Sequence, residues 1–517
     1  MSTTVITAAV NTGDAVPLTD LITSPSAPAP VENDNKEKGT LEAASIIFIL
    51  TGVTFISVSG TGILTTALPQ IARDINLDND LLLWPASVYA LAAGCTLLAF
   101  GAVADIVGSK YMWLLGSGAS TFWILGCGLA QSGTQFIAFR AMLGIFVAMC
   151  LPTSMSLVTA SFPQGPRRNV AFAVTGMGQP LGYAAGLILG GVLTDTIGWR
   201  WAFYITTILN FFLFIASIFM LPSTKPHKVS LNRVLNEIDW TGVLILSVSL
   251  GLLSYVLAMI TLSYERIHDA QNIAILVVSV ALLPTFTFWM HRQEKRGKPA
   301  LIPNSLWQSV PFLSVCISMF LTWAAFNAFQ YQSTLYFQDI QDLSALQASI
   351  RFLPMAVLGV LTNSATAYLV TKVQVNVLLG ISALITSISP ILMALASPSW
   401  TYWTATFIAM TLSPLNGDVL WTVSSLVISR YFPGKSQALA GGVFNTISQL
   451  GNSVGLAITA AIAASVTAHK DSSGSEEALL LEGYRAAYWT IFAAMVLVCF
   501  SSSIGLRQLG KVGIKQD

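Results

Sequence analysis

Two of the ionisable side chains inside long apolar stretches of this 517-residue chain, Asp418 and Arg140, are the clearest candidates for chemistry. Asp418 closes the sequence Ser-Pro-Leu-Asn-Gly-Asp (413–418), in which proline and glycine can interrupt a helix and free backbone polar groups. A carboxylate among apolar groups takes up a proton more readily than one in water, so Asp418 is a candidate proton carrier. The alternative is a structural carboxylate that binds the loosened backbone.

Arg140 is the second such side chain. It can pair with backbone carbonyls or an acid, or it can extend to the edge of an apolar layer as long basic side chains do. All four histidines fall in predicted loops or at helix ends, which excludes a histidine relay in the middle of a membrane. The five cysteines show neither metal-ligand spacing nor a disulfide framework, so no metal site is predicted.

Neutral amides and aromatic residues recur within three other apolar segments. Asn445, Gln449 and Asn452 are spaced at i, i+4 and i+7 and therefore share one helix face. Because an amide facing lipid would be unsatisfied, that face must meet protein or a water-filled cavity. We predict a cavity that accepts a neutral or weakly cationic amphipathic solute, although helix-to-helix hydrogen bonding is an alternative for each residue. The predicted lining residues are Gln179, Tyr183, Trp323, Asn327, Gln330, Asn445, Gln449 and Asn452.

The composition shows what kind of elements must position these residues. Hydrophobic residues make up 54% of the chain and charged residues 9%, whereas soluble proteins contain about 25% charged residues. Crossing a bilayer requires about 20 apolar residues per helix. We therefore predict an all-α integral membrane protein with fourteen transmembrane helices. The predicted spans are 44–68, 82–104, 111–130, 136–160, 169–194, 201–221, 240–261, 271–290, 309–333, 345–370, 375–396, 401–429, 436–467 and 486–506.

Basic residues predict the orientation, because loops rich in Lys and Arg stay in the cytoplasm. With the N-terminus inside, the predicted inner segments hold eighteen of the 25 Lys and Arg residues, the outer segments hold five, and two fall within spans. The net charge of +1 gives no indication of nucleic-acid binding. Residues 1–40 are polar and are predicted to form a disordered cytoplasmic tail, and residues 507–517 form a second short cytoplasmic tail.

An internal repeat divides the spans between these tails. Ser-Phe-Pro (161–163) precedes a helix that contains LGYAAGLIL (181–189), and Tyr-Phe-Pro (431–433) precedes a helix that contains LGNSVGLAI (450–458). The repeat predicts two six-helix halves, 41–222 and 301–506, related by an axis along the membrane normal. Residues 223–300 would then hold linker segments and an inserted helix pair. In this alignment Tyr183 corresponds to Asn452.

The loop after the second predicted helix resembles a signature of the major facilitator superfamily. It reads Gly-Ala-Val-Ala-Asp-Ile-Val-Gly-Ser-Lys, with Gly101, Asp105, Gly108 and Lys110 at the matching positions. The resemblance implies that Asp105 binds the end of a helix in the other half and stabilises the outward-facing state.

Further motifs resemble the fourteen-helix drug:proton antiporters of that superfamily. Glycines on the fifth helix resemble the antiporter motif; four of them form one stripe that lets another helix approach closely. Arg140 with Leu-Pro-Thr (151–153), Gly-Trp-Arg-Trp-Ala-Phe (198–203) and Glu-Ile-Asp-Trp (237–240) are also similar to that group. The chain is most similar to fungal aminotriazole-resistance exporters, and this resemblance implies a role of Arg140 in proton coupling. The glycines are Gly178, Gly182, Gly186, Gly190 and Gly191.

Together these patterns favour a proton-coupled exporter of drugs, toxins or secondary metabolites that works by alternating access. An importer or uniporter of a small polar solute, or a transporter-like membrane sensor, remains an alternative. No nucleotide-binding loop or clustered catalytic residues are recognised, so neither an ATP-driven pump nor an enzyme is predicted. The expected partners are the solute, protons and the lipid bilayer, with no cofactor and no nucleic acid. We expect a monomer in the plasma membrane, with the vacuolar membrane second.

Overall fold

The structure is a computed structural model, and it describes residues 40–77, 81, 84–222, 231–262, 266, 268–298, 301–302, 304–431, 437–469, 476–507 and 510. Residues Met1–Ala43 form a separate unit, of which only the start of the first helix is described, and Ala44–Asp517 form the other unit. The predicted N-terminal tail, nearly all of the C-terminal tail and the Phe-Pro-Gly-Lys loop (432–435) therefore lie outside the described residues.

Helices make up nearly all of the described chain. Long apolar runs favour helices in a membrane, because a helix satisfies its backbone hydrogen bonds within one segment. A five-residue π-helix, Tyr336–Ile340, continues from the α-helix that ends at Leu335. The α-helices are α1 (Thr40–Asp74), α2 (Trp84–Val107), α3 (Ser109–Leu129), α4 (Gly133–Ser161), α5 (Pro166–Thr196), α6 (Arg200–Met220), α7 (Leu231–Glu237), α8 (Trp240–Leu262), α9 (Ala270–Lys295), α10 (Asn304–Trp307), α11 (Val310–Leu335), α12 (Ala345–Ile350), α13 (Leu353–Leu369), α14 (Val375–Leu395), α15 (Thr406–Leu412), α16 (Leu415–Tyr431), α17 (Gln437–His469) and α18 (Glu476–Gly505).

Twelve spans within the described residues are long and apolar enough to cross a membrane. Two of the fourteen predicted spans differ from the rest. The segment predicted at 169–194 forms the long helix α5, whose glycine-rich sequence makes it less apolar. The segment predicted at 401–429 is not one helix, because it is divided into α15 and α16 at Ser413 and Pro414. An all-helical membrane protein is confirmed, and the count of fourteen stays a prediction.

A further predicted span is also interrupted. The segment 345–370 forms α12 and α13, with Arg351 and Phe352 between them. Pro354 lies in the first turn of α13, where its missing N–H breaks no hydrogen bond of the helix. Ser344 and Gln347 form a capping box at the start of α12. Local sequence signals therefore place the helix boundaries within this apolar segment.

Two hydrophobic cores organise the helices. One core uses buried residues between Ile56 and Phe203, all within α1 to α6 and the loops between them. The other uses buried residues between Ala325 and Val498, to which α5 adds Leu187. We call α1–α6 the first bundle and α11–α18 the second bundle. The candidate functional site uses residues from both bundles.

The helices between the bundles form a packed pair. Ser249 of α8 donates a hydrogen bond to the carbonyl oxygen of Ser279 of α9 at 2.8 Å. At the start of α8 the carboxylate of Asp239 accepts hydrogen bonds from the amide of Gly242 at 3.0 Å and from the indole of Trp289 at 3.0 and 3.1 Å. This buried carboxylate therefore fixes α8 against α9.

Candidate functional site

Asp418 lies at the centre of a buried polar cluster in the second bundle. Its Oδ1 atom accepts a hydrogen bond from Asn363 Nδ2 of α13 at 2.9 Å. Asn363 Nδ2 also donates to the carbonyl oxygen of Gly359 at 2.9 Å, and Asn363 Oδ1 accepts from the hydroxyl of Thr422 at 3.3 Å. The second carboxylate oxygen, Oδ2, is buried without a hydrogen-bond partner in the structure. Asn363 therefore holds Asp418 in one orientation while leaving one carboxylate oxygen unsatisfied.

The cluster lies against α5 of the first bundle. A Cβ atom at Gly359 would lie 2.9 Å from the Pro180 ring and 3.0 Å from Asp418 Oδ2. A Cβ atom at Gly176 would lie 2.7 Å from Asn363 Oδ1. The absence of side chains at both glycines thus lets the bundles meet at the level of Asp418. The Oδ2 atom of Asp418 is buried beside Gly359, where α13 meets Pro180 of α5, so a separation of α5 from α13 would change its surroundings.

Arg140 lies in the first bundle, and it is almost completely buried at 1% exposure. Its Nε atom donates to the carbonyl oxygen of Pro85 at 3.0 Å, and its guanidinium lies 4.5 Å from the centre of the Tyr89 ring. The Tyr89 hydroxyl is 2.9 Å from Ser57 Oγ. Arg140 therefore interacts with a backbone carbonyl and an aromatic ring, rather than extending to the membrane edge.

Among the predicted lining residues, Trp323 contacts the helix that carries Asp418. Trp323 of α11 packs edge-on against Trp421 of α16 with ring centres 6.5 Å apart, and Trp421 is less than one helical turn from Asp418. Among the described residues the buried indole nitrogen of Trp323 has no hydrogen-bond partner. Gln330 donates to the Met355 sulfur at 3.5 Å. Asn327 and Gln179 are partly exposed on α11 and α5.

The amides on α17 bind within their own helix. Asn445 Nδ2 donates to the carbonyl oxygen of Gly441 at 2.8 Å, and Asn452 Nδ2 donates to Gln449 Oε1 at 3.3 Å. The remaining carbonyl oxygen of Asn452 is buried and unpartnered. Gln449 faces α2. A Cβ atom added at Gly94 of α2 would lie 3.6 Å from the Cβ atom of Gln449. Asn445 is thus satisfied locally, whereas Asn452 retains a free acceptor.

A second contact between the bundles involves the end of α2, because Gly101 and Asp105, predicted in a loop, lie in the last turns of this helix. Asp105 accepts hydrogen bonds from the backbone amides of Ala438 at 3.1 Å and Leu439 at 2.9 Å, at the N-terminal end of α17. These amides have no carbonyl partner within their helix, and the helix dipole favours a negative charge there. A Cβ at Gly101 would lie 2.9 Å from the Ala438 carbonyl oxygen. Asp105 and Gly101 therefore join α2 to α17.

Gly108 alone separates α2 from α3, and Lys110 lies in the first turn of α3. Gly108 has φ of 107°, a conformation that side chains disfavour, and this residue directly precedes α3. Lys110 Nζ donates to the carbonyl oxygen of Leu221, just after α6, at 2.6 Å. A lysine at the C-terminal end of a helix can bind a backbone carbonyl oxygen that has no partner within that helix. Lys110 therefore positions the turn between α2 and α3 on the first bundle, and it has a role that the sequence analysis did not predict.

The glycine stripe of α5 packs against the backbone of α1. Cβ atoms at Gly178, Gly182 and Gly186 would lie 2.9, 2.4 and 2.2 Å from the carbonyl oxygens of Thr51, Phe55 and Ser59. One at Gly190 would lie 2.2 Å from the Thr66 hydroxyl oxygen. Gly191 faces the other way, toward Leu346 of the second bundle. Four glycines therefore form the contact with α1, and the fifth lies at a contact between the bundles.

Equivalent glycines in the second bundle make the same kind of contact. Cβ atoms at Gly451 and Gly455 of α17 would lie 2.3 and 2.4 Å from the carbonyl oxygens of Phe320 and Ala324 of α11. The sequence alignment pairs these two glycines with Gly182 and Gly186. The same glycine pair therefore packs against the first long helix of each bundle.

Two helical bundles that meet at buried polar groups are a plan found in many membrane transporters. The family model of the Major Facilitator Superfamily matches residues 50–455. The chain therefore belongs to the Major Facilitator Superfamily. This is a family of transporters and not of enzymes, as the sequence predicted.

The comparisons with known proteins agree with this assignment. MFS-type transporter 1 of Pyricularia oryzae is 48% identical over 92% of this chain and 85% of its own length. The aminotriazole resistance protein of Saccharomyces cerevisiae is 26% identical over 81% of this chain and 76% of its own length. The human organic anion transporter MFSD10 has the same fold, with a TM-score of 0.63, 14% identity and coverage of 89% of this chain and 99% of that one. The predicted resemblance to fungal exporters of this superfamily is confirmed.

The partners of these candidate residues were not predicted from the sequence. Asn363 and Thr422 surround Asp418, and Tyr89 and Ser57 lie beside Arg140. Asn363 carries a signal that could have been used, since an amide within an apolar span requires a partner in protein or water. Tyr89 carries no such signal, because a tyrosine in an apolar helix is common in a packed core.

Proposed function

We propose that this chain is a proton-coupled secondary transporter that exports small organic molecules by alternating access. Membership of a transporter superfamily and similarity to a protein named for aminotriazole resistance support export. The observation on which proton coupling mainly depends is the buried carboxylate of Asp418 at the contact between the bundles.

Asp418 is suited to couple a proton to movement of the bundles. An ionised carboxylate without sufficient partners is costly to bury, whereas a protonated one is much less so. In the arrangement seen here α5, α13 and α16 enclose the carboxylate, so a bound proton would stabilise the contact. When α5 moves away from α13, water can reach the group and the proton can leave. Arg140 would contribute from the first bundle by holding α2 and α4 together during that movement.

The contact between Asp105 and α17 supports the alternating part of the proposal. In the predicted orientation this contact closes the cytoplasmic side. Opening toward the cytoplasm would expose the first backbone amides of α17 and break their hydrogen bonds to Asp105. The contact therefore acts as a latch whose release accompanies the change of access.

The proposal includes fourteen spans with both ends of the chain in the cytoplasm. The twelve apolar spans leave α5 and the α15–α16 segment to complete the count. Both can lie within a membrane, because α5 packs its glycine face on α1 and α16 contacts both α5 and α13. Reporter fusions at each terminus test this point, and chain ends on opposite faces would contradict it. We further propose a monomer in the plasma membrane, with the vacuolar membrane as the alternative.

Reconstitution tests the transport function directly. Purified protein in liposomes would be loaded with aminotriazole or with an amphipathic cationic dye, and release would be followed with and without a pH gradient. We expect release to depend on the protein and to accelerate when protons can move in the opposite direction. Protein-dependent release that ignores the gradient would instead support a uniporter. A chain that moves neither solute, but whose loss changes transcription of another transporter, would support a sensor.

A further inference from the structure

A groove of about 740 Å³ opens on the surface of the second bundle. One wall comes from α12 and α13 and includes Ile350, Pro354, Val357 and Leu361; the other comes from the segment before α15 and from α15 itself. This volume is within the usual range for small-ligand sites, about 300–1,000 Å³. The groove is distinct from the cluster around Asp418.

The groove lies on a surface that contacts the bilayer. Val357 and Leu361 are 63% and 59% exposed, and both belong to a membrane-spanning helix. In a transmembrane helix such exposed apolar side chains contact lipid tails. The stripe from Pro354 to Leu361 covers two helical turns, or about 10 Å along α13. The groove is therefore long and apolar enough to hold part of an acyl chain.

Aromatic residues locate one end of the groove at the membrane–water interface. Tyr402 and Trp403 line this end, and Trp403 is 70% exposed. Tyrosine and tryptophan concentrate at the level of the lipid headgroups, where one part of the ring is in an apolar layer and another near water. This end is therefore at the depth of the lipid phosphates.

Arg351 lies at the same end and provides a positive charge. Its guanidinium lies 5.3 Å from the ring centres of both Phe337 and Tyr402, and it donates a hydrogen bond to Gln341. The backbone carbonyl of Arg351 accepts a hydrogen bond from the Tyr402 hydroxyl at 2.7 Å, which fixes the turn between α12 and α13. In the part of the chain that the structure describes, no carboxylate forms an ion pair with Arg351. Among the described residues the charge is thus held in place by two aromatic rings and Gln341 and has no carboxylate ion pair.

We propose that this groove binds an anionic phospholipid, with an acyl chain between α13 and α15 and the phosphate on Arg351. An arginine has five N–H donors in a planar fork that matches a phosphate. The apolar walls contact the tail, and the guanidinium complements the headgroup charge. A lipid in this place contacts α12, whose Leu346 packs on Gly191 of α5. The site is therefore linked to a contact between the bundles and does not depend on the proposed transport function.

Lipid binding to the purified full chain tests the proposal. The protein would be stripped of lipid in detergent and titrated with phosphatidylglycerol, phosphatidylcholine or glycerol phosphate. Native mass spectrometry would count bound lipids, and the thermal unfolding midpoint would report stabilisation. We expect phosphatidylglycerol to bind and raise the midpoint, phosphatidylcholine to bind at least about tenfold more weakly, and soluble glycerol phosphate to have no effect.

Two variants separate the headgroup from the tail. Arg351→Gln removes the charge and should weaken phosphatidylglycerol binding about tenfold or more, to the level of phosphatidylcholine. Val357→Trp fills the groove from an exposed position and should weaken both lipids. Arg200→Gln is the matched control, since Arg200 also stacks on an aromatic ring but lies in the first bundle near Asp74. Phosphatidylglycerol binding to Arg200→Gln should equal that of the unmodified chain.

Three results would overturn the proposal. The first is equal affinity of the unmodified chain for the two lipids. The second is unchanged phosphatidylglycerol binding in Arg351→Gln or in Val357→Trp. The third is stabilisation by glycerol phosphate as large as that by the lipid, which would identify a site for a soluble anion.

Discussion

Asp418 and Asn363 are joined by a 2.9 Å hydrogen bond that uses only one oxygen of the carboxylate. The other oxygen is buried beside Gly359 and Pro180, where α13 meets α5. A structural carboxylate normally uses both oxygens, because each unsatisfied buried acceptor costs about 1–3 kcal/mol. The free oxygen is the strongest reason to regard Asp418 as the proton site, rather than as a support for the broken helix.

The first prediction concerns the charge of Asp418. Asp418→Asn keeps the shape of the side chain and its bond to Asn363 but cannot take up a proton. We expect the variant to fold and to lose the acceleration of transport by a pH gradient altogether. Asp418→Glu should retain part of it. The measurement is solute release from liposomes at matched protein content.

Asp269→Asn is the control for this substitution, because Asp269 lies at the start of α9, away from the bundle contact. It should respond to the gradient as the unmodified chain does. A gradient response in Asp418→Asn equal to that of this control would show that Asp418 carries no proton.

The second prediction concerns the orientation of the carboxylate. Asn363→Leu removes the donor to Asp418 and the acceptor of Thr422 while keeping a similar volume. We expect a loss of about 1–3 kcal/mol in the free energy of unfolding from the groups left unpaired. We also expect the pH dependence of transport to shift, since the carboxylate loses the donor that stabilises its charge.

The pH profile distinguishes positioning from mere packing. A substitution that only weakens the fold would lower transport equally at every pH. Asn376→Leu provides the comparison, because Asn376 lies in the first turn of α14 and takes no part in the hydrogen bonds that join Asn363, Asp418 and Thr422. If Asn363→Leu lowers the rate without changing the profile, Asn363 has no role in proton coupling.

The fold could be predicted from the sequence more completely than the site could, for physical reasons. Apolar runs and basic loops follow from the cost of polar groups in lipid, so the helices could be located from composition. The proline and glycine at 413–418 indicate an interruption, but apolar residues continue on both sides of it, so the sequence predicts a single span there. The helix α5 is less apolar than the other spans because its glycines contact α1 and its opposite side contacts α13.

The site depends on pairs of residues far apart in the chain. Asp418 was recognisable as an ionisable group in an apolar segment, whereas its distance to Asn363, 55 residues earlier, is determined by the packing of α13 on α16. Asp105 was recognisable through a family resemblance that implies a helix end as its partner. The two amides of α17 that bind it could not be identified before the bundles were placed together.

The third prediction concerns the latch at Asp105. Asp105→Ala removes the acceptor of both α17 amides, and charge-assisted hydrogen bonds contribute about 1.5–3 kcal/mol each. A loss of even 1.4 kcal/mol from one conformation shifts the equilibrium about tenfold. We therefore expect the protein to open more often between α2 and α17.

Cysteine labelling measures that opening. Leu98 is 3% exposed and lies opposite Gly442, so Leu98→Cys in a cysteine-free background reports separation of the two helices. Its alkylation by a water-soluble maleimide should be about tenfold faster with Asp105→Ala than without it. Asp195→Ala is the control, because Asp195 lies at the C-terminal end of α5 and not at the contact between α2 and α17. This substitution should leave the labelling rate unchanged. Equal labelling rates in all three proteins would refute the latch.

The last prediction concerns the glycines between α1 and α5. Gly186→Ala would place a methyl group 2.2 Å from the Ser59 carbonyl oxygen, a distance that only a movement of one backbone can relieve. Overpacking of this kind costs about 1–3 kcal/mol, so we expect a clearly lower thermal unfolding midpoint in detergent. Gly455→Ala, the equivalent change between α17 and α11, should lower it similarly, because its methyl would lie 2.4 Å from the Ala324 carbonyl oxygen. Gly94→Ala is the matched control, since its nearest neighbour at 3.6 Å is an ordinary contact and its midpoint should be unchanged. If all three variants unfold at the same temperature as the unmodified chain, the close backbone contacts do not stabilise the bundles.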